Sequence, residues 1–225
     1  MVAERLKQVR AQAEAAAKRV GRDPAEITLV AVSKGRSVAE IEACYSLGQR
    51  DFGENRAAEL GQKAPMLPKD IRWHFIGSLQ TRQAKVARPY TDLLHSLDRA
   101  RLVNAWAQVE GASPVLVQVN VAGEAQKHGT APDMAASLVT QAIASGLSCV
   151  GLMTIPPLPN TPEDSREWFV ALRELGDSLR ETFPEIRELS MGMTDDFEVA
   201  IEEGATLIRV GRAIFGAPGD PARID

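Results

Sequence analysis

The sequence predicts an α/β fold: a closed (β/α)8 TIM barrel with an extra N-terminal helix, as one domain over residues 1–225. Three observations predict it. Short apolar, strand-like runs alternate with helix-period segments, and that alternation implies a parallel sheet with helical crossovers. Eight such units fit into 225 residues, a length at which α/β barrels form single units. An open doubly wound sheet is compatible with the same alternation, but no G-x-G-x-x-G follows the first strand, so its dinucleotide version lacks the fingerprint. No repeat, domain boundary or low-complexity linker interrupts the pattern.

The elements follow in order. Residues 1–21 are Ala-rich and charged and end on Gly21, which predicts a helix rather than a signal peptide. "ITLVAVSK" is the first strand, apolar from Ile27 to Val32, and "SVAEIEACYSLG" is a helix stopped by Gly48. "RDFGEN" is a short second strand, and "RAAELGQKA" a helix closed by Pro65 and Pro68. "RWHFIGS" and "LLHSLD" are the third and fourth strands, followed by the helices "LQTRQAKVARPY" and "RARLVNAWAQVEG". "SPVLVQVNV" is the most strand-like run, and its helix "APDMAASLVTQAIASG" has Pro132 in the first turn. "LSCVGLMTI" leads through the loop "PPLPNTP" to a long helix from Glu163 to about Phe183. "RELSMG" and "DDFEVAIEEG" form the seventh unit; "TLIRVG" and the short turn "RAIFG" form the eighth.

Composition bounds the function. The chain is 44% hydrophobic and 25% charged with a net charge of −4, which offers no basic footprint for nucleic acid. No apolar run reaches the length of a membrane span. Cys44 and Cys149 stand far apart in apolar contexts without metal-ligand spacing, so buried free thiols are expected and no metal. The expected location is cytoplasmic. The helices show no apolar stripe beyond what a barrel needs, so a monomer is expected.

Lys34 is the first candidate site residue. It closes the first strand, at the end where barrels place their chemistry. Strand alternation puts it on one face with Val32, Val30 and Thr28, leaving Ile27, Leu29 and Ala31 toward the helices. Partial desolvation at a barrel mouth favours the neutral amine, the form that attacks a carbonyl to give a Schiff base. A lysine there could equally pair with a carboxylate or reach solvent. Lys7, Lys18, Lys63, Lys69 and Lys85 fall on expected helices or loops away from strand ends, and Lys127 lies in the loop after the fifth strand.

Barrels often bind phosphate with the loops after strands seven and eight. Here these read "SMGMTDDF" and "RVGRAIFG". The first offers Ser190 and Thr194 hydroxyls, a Gly192 turn and a helix start; the second offers Gly211, where backbone can approach an anion, and Arg212. Two helix starts capped by Thr194 or Asp195 would look the same. Arg209 sits mid-strand, where a cation needs a polar partner, either a ligand or a carboxylate such as Glu54. An imine-forming lysine plus a phosphate site suggests pyridoxal 5'-phosphate (PLP). Arg209 at its pyridine nitrogen would disfavour protonation there and weaken the ring as an electron sink.

These segments, with "LVAVSKGRS", "DFGENRAAEL", "WHFIGSLQ", "HSLD", "VLVQVNVAGEAQKHG", "GLMTI" and above all "LSMGMTDDFEVAIEEGATLIRVGRAIFG", resemble the pyridoxal phosphate homeostasis protein family (YggS/PROSC type) over nearly the whole chain. That family is related in fold to the alanine racemase barrel, PLP fold type III. The resemblance implies a PLP-binding barrel with Lys34 as Schiff-base lysine and Asn55 lining the cofactor near the ring. It places Ser190 and Thr194 at the phosphate with backbone of Gly211 and Arg212, and Arg209 at the pyridine nitrogen. Thr194 stands where serine is common, and "TRQAK" replaces a usual Asn-Lys pair.

A racemase needs a base on each face of the cofactor. Tyr45 and Tyr90 fall on helices, and His74 and His95 lie well before their strand ends, where core packing or a structural hydrogen bond is expected. Only His128, in the loop after the fifth strand, is free to approach. The expected function is therefore PLP holding in vitamin B6 homeostasis and amino-acid/keto-acid balance, with no catalytic residue assigned and apo PLP enzymes as possible acceptors. The alternatives are a weak amino-acid racemase, a Schiff-base aldolase acting without PLP, and a scaffold that binds no small molecule.

Overall fold

A computed structural model of the chain describes residues 2–111, 113–124 and 126–217. Eight parallel strands close into a barrel in sequence order. They are β1 (Thr28–Val32), β2 (Asp51–Glu54), β3 (Arg72–Phe75), β4 (Leu93–Leu97), β5 (Val115–Gln118), β6 (Cys149–Met153), β7 (Glu188–Ser190) and β8 (Leu207–Val210). β8 pairs with β1, setting Leu29 opposite Ile208 and Val30 opposite Arg209. The helices are α1 (Val2–Arg19), α2 (Val38–Ser46), α3 (Ala57–Lys63), α4 (Ala84–Ala87), α5 (Ala100–Ala107), α6 (Ala135–Ala144), α7 (Arg166–Arg180), α8 (Phe197–Glu202) and α9 (Arg212–Phe215).

Strand alternation sorts the side chains into two cores. Ala31, Phe52, Leu94 and Ile208 face outward and join the helix-packed core. Val30, Leu93, Leu116, Met153 and Leu207 fill the barrel interior. Register sets His74 beside Leu93, Ser190 beside Met153 and Arg209 beside Val30, so three polar side chains share that interior. The extra helix α1 buries Leu6, Val9, Ala13, Ala16 and Ala17 at helical spacing. It lies against α8, where Arg19 pairs with Glu198 at 2.9 Å and Glu202 at 2.8 Å.

Several elements differ from the expectation. β1 ends at Val32, so Lys34 belongs to the turn that follows. The helix expected over "LQTRQAKVARPY" breaks into a 3₁₀ turn (Thr81–Gln83), α4 and a second 3₁₀ turn (Arg88–Tyr90). Pro89 has no N–H to donate, so the α-helical ladder cannot run through it. The long helix after β6 is shorter than expected because its start, Pro162–Ser165, is a 3₁₀ turn capped by Thr161 and Asp164. Both cysteines are buried and free, and burial pushes each thiol up to about 12. Among the described residues, no helix is long and apolar enough to cross a membrane, and no side-chain group is suited to a metal.

Candidate functional site

A cavity of about 580 Å³ opens at the C-terminal ends of the strands, and Lys34, Asn55, Thr194, Arg209, Gly211 and Arg212 all line it. That volume is typical of small-molecule sites. The sequence separates these residues widely; barrel closure brings them together.

Lys34 is exposed rather than partly desolvated, because its turn projects beyond the strand end. The turn needs Gly35, whose φ of +69° lies in the left-handed region. Behind it sits a buried ionic cluster that the sequence did not announce. Lys63 reaches up from α3, and its Nζ donates to Ser33 O at 2.8 Å, Glu54 Oε1 at 2.8 Å and Glu59 Oε1 at 2.6 Å. Ser33 Oγ donates to Glu54 Oε1 at 2.7 Å, and the Gly35 N–H to Glu59 Oε1 at 2.6 Å. The residues on both sides of Lys34 are thus pinned while its own side chain is left to the cavity. Lys63, expected away from the strand ends, belongs to this support. Burial raises the Glu54 carboxyl despite Lys63. For Glu59, burial is outweighed by the bonds from Lys63 and Gly35, and its carboxyl is lowered.

The loops after β7 and β8 form the adjoining wall, on the side where β8 pairs with β1. Gly192 turns with φ +88°, and a Cβ there would stand 2.5 Å from Ala200 Cβ. Asp196, rather than Thr194 or Asp195, is the N-cap residue of α8, and its side chain ties the loop instead: Oδ1 accepts from the Met193 N–H and Oδ2 from Ser165 Oγ, both at 2.7 Å. Thr194 is thereby left at the cavity, its Oγ1 accepting weakly from the Ala213 N–H at 3.4 Å. At Gly211 an added Cβ would lie 3.3 Å from Val32 Cβ, so the backbone comes close to the cavity floor. Arg212 is exposed and pairs with Asp195.

Arg209 is buried, and its Nη1 donates to Ser190 Oγ at 2.6 Å and Nη2 to Thr154 O at 2.9 Å. Burial pulls its guanidinium down to about 10. The alternative partner, Glu54, is held by Ser33 and Lys63 instead. The structure places Ser190 deeper than Thr194. It ends β7 pointing into the barrel, fully buried between Arg209 and His95 Nδ1, and it is not on the cavity wall. The hydroxyl that reaches the mouth is Thr194, carried outward by the Gly192 turn.

His74 and His95 bond to each other inside the barrel at 2.9 Å, as the structural reading of these histidines required. His128 lines the cavity, while Tyr45 and Tyr90 do not, and Tyr45 donates to Asp70 at 2.7 Å. Sequence reasoning missed Gln118 and Arg36. Gln118 was legible as the one polar residue in "VLVQV". Arg36 was the second cation of "SKGRS", and it ties the β1 loop to α9 by donating to Phe215 O at 3.2 Å. The lining by Ile155 and Leu158, in the loop after β6, had no sequence signal.

No family model matches the chain. A pyridoxal phosphate homeostasis protein of Aquifex aeolicus is 40% identical over 220 residues, covering 95% of this chain and 96% of that one. One from Pseudomonas aeruginosa is 39% identical over 222 residues, covering 96% and 95%. Among solved structures, PipY of Synechococcus elongatus with PLP bound gives a TM-score of 0.83 at 33% identity, over 96% of this chain and 100% of that one. With relatives about 40% identical over nearly the whole chain, the chain belongs to the pyridoxal phosphate homeostasis protein family.

Proposed function

We propose that this protein binds PLP at the barrel mouth, holds it covalently through Nζ of Lys34, and acts in intracellular PLP homeostasis and amino-acid/keto-acid balance with little or no catalysis. The carrying observation is that an accessible lysine lines the same cavity as Thr194, Gly211 and Arg212, groups suited to an anion. The relatives named for PLP homeostasis and the PLP-bound PipY structure support the same reading.

The residues present fit this cofactor. Asn55 Oδ1 is buried without a partner, an acceptor that a ligand polar group near the ring would satisfy. Thr194 Oγ1 and the backbone at Gly211 and Arg212 offer the phosphate a hydroxyl, close main-chain approach and a cation. Arg209, which lines the same cavity, is the group this reading assigns to the pyridine nitrogen. Near neutral pH its guanidinium stays charged even at about 10, so it opposes protonation of that nitrogen. When bound, PLP supplies an electrophilic carbonyl and a conjugated ring that can accept electron density. Arg209 would mute the second property and leave the first, which suits holding over catalysis. The proposal takes residues 1–225 as one PLP-binding domain, a cytoplasmic monomer that hands PLP to apo-enzymes.

The test is the visible spectrum of wild type and Lys34→Ala after PLP loading, followed by borohydride and peptide mass analysis. A band that borohydride removes, with the cofactor mass fixed on the Lys34 peptide and both absent from the variant, is the expected result. No band and no labelled peptide would overturn the reading. A weak racemase is favoured by one observation, the presence of His128 on the same cavity. Turnover of alanine or serine by the loaded protein, lost in His128→Ala, would establish it.

A further inference from the structure

The barrel interior carries a run of polar side chains that the proposed cofactor contacts leave unused. Beyond the Arg209–Ser190 bond, Ser190 Oγ lies 2.8 Å from His95 Nδ1. His95 Nε2 lies 2.9 Å from His74 Nδ1, and His74 Nε2 lies 3.1 Å from Asp51 Oδ1. Asp51 opens β2, at the end of the barrel away from the cavity, and also accepts from Arg72 Nε at 2.7 Å. All five members of the run, from Arg209 to Asp51, are buried.

Donor and acceptor rules give this run one direction. A carboxylate only accepts, so His74 carries its proton on Nε2. A single His74 proton on Nε2 leaves Nδ1 as acceptor, which requires the His95 proton on Nε2 as well. His95 Nδ1 in turn accepts from the Ser190 hydroxyl, whose lone pairs are free for Arg209. The opposite polarity would aim two donors, Arg209 and His95, at Ser190 Oγ and leave the Ser190 proton with no acceptor in the run. Burial keeps His95 well below the usual histidine range, so it stays neutral.

We propose that Asp51, His74 and His95 are positioning residues: a hydrogen-bond chain polarised from the far end of the barrel holds Ser190 as an acceptor and thereby fixes the Arg209 guanidinium at the cavity floor. The role of that guanidinium toward a cofactor ring rests on the PLP reading; the chain itself belongs to the apo-protein. Sequence reading treated the histidines as local structure. Their joint effect is to couple Arg209 to a carboxylate it never touches.

Long-range proton–nitrogen NMR of the apo-protein tests the chain directly. In wild type both His74 and His95 carry the proton on Nε2. Asp51→Leu removes the terminal acceptor, and Arg209 guanidinium protons then exchange about tenfold faster, the net worth of one hydrogen bond. Asp51→Asn keeps an acceptor oxygen and restores slow exchange. Arg72→Ala, which removes only the outer ion pair, leaves the tautomers and exchange unchanged. Should Asp51→Leu fail to fold, Ser190→Ala carries the same expectation from the other end. After PLP loading, Asp51→Leu shifts the visible absorption maximum while borohydride still labels Lys34. An Nδ1 proton on either histidine, or unchanged exchange in Asp51→Leu and Ser190→Ala, overturns the chain. Correct tautomers and exchange with no PLP fixed on wild-type Lys34 overturn the cofactor reading and leave the chain standing.

Discussion

Lys63→Met is the sharpest test of how the Lys34 turn is supported. Lys63 is 8% exposed and Glu54 is fully buried, so the pair sits out of water with Ser33 and Glu59 as its remaining partners. Methionine keeps the aliphatic stem and deletes only the charge and its three hydrogen bonds. Glu54 is then left with the Ser33 hydroxyl alone, since its Oε2 has no partner to begin with. Breaking a buried ion pair by removing one member costs about 3–5 kcal/mol. Glu59 adds little, because it keeps the Gly35 N–H and is partly hydrated. For a chain of this length roughly 2–4 °C of Tm accompany each kcal/mol, so a fall of roughly 6–20 °C is expected.

The pH dependence carries its own sign. Burial already raises the Glu54 carboxyl, and losing Lys63 raises it further. A carboxyl raised in the folded state binds its proton more tightly there than in the unfolded chain. Stability is therefore lost as pH climbs above the unfolded value and regained as pH falls. Urea unfolding, followed by tryptophan fluorescence at about pH 7.5 and about pH 5.5, should show the variant recovering part of its loss at the lower value. Adding Glu54→Gln to the variant removes the stranded charge and should restore more than half. A loss below about 1 kcal/mol at the higher pH, or one indifferent to pH, would refute the buried-pair account.

Two further predictions address the wall formed by the loops after β7 and β8. Gly192→Ala meets both a left-handed φ and a Cβ within 2.5 Å of Ala200 Cβ, so a loss of roughly 2–5 kcal/mol in urea unfolding is expected together with weaker PLP binding. Thr194→Val keeps the shape and removes the hydroxyl. It should weaken PLP about tenfold in a fluorescence titration, whereas Thr194→Ser stays within about threefold. Equal affinity in Thr194→Val would remove Thr194 from the cradle.

The architecture was legible because barrels write themselves locally. Each apolar run between turn residues became a strand, and the inward set with Val30 and outward set with Ala31 fell out of alternation alone. The site was legible where a residue type is unusual for its position, as with Lys34 beyond a strand and Arg209 within one. Two things were not. Ser190 and Thr194 are both hydroxyls in one loop, and only strand register and the Gly192 turn decide which reaches the mouth. Lys63 reads as an ordinary helix lysine, because helix spacing shows the pairing with Glu59 but not the reach across to Glu54 and Ser33. Long-range polar contacts leave no periodic trace in a sequence.

The cavity includes the seam where the first and last strands meet, and groups outside the cavity tie that seam. Val30 pairs with Arg209 in the sheet. Outside it, Arg22 Nη1 donates to Ile201 O at 2.8 Å and Ala205 O at 2.9 Å, and Arg36 ties the β1 loop to Phe215, 179 residues away. Lys34, Thr194, Gly211 and Arg212 thus line one cavity on a frame locked by other groups. A ligand bridging them adds one more tie at the mouth, not the tie on which the fold depends. Losing it should leave strands and loops in place.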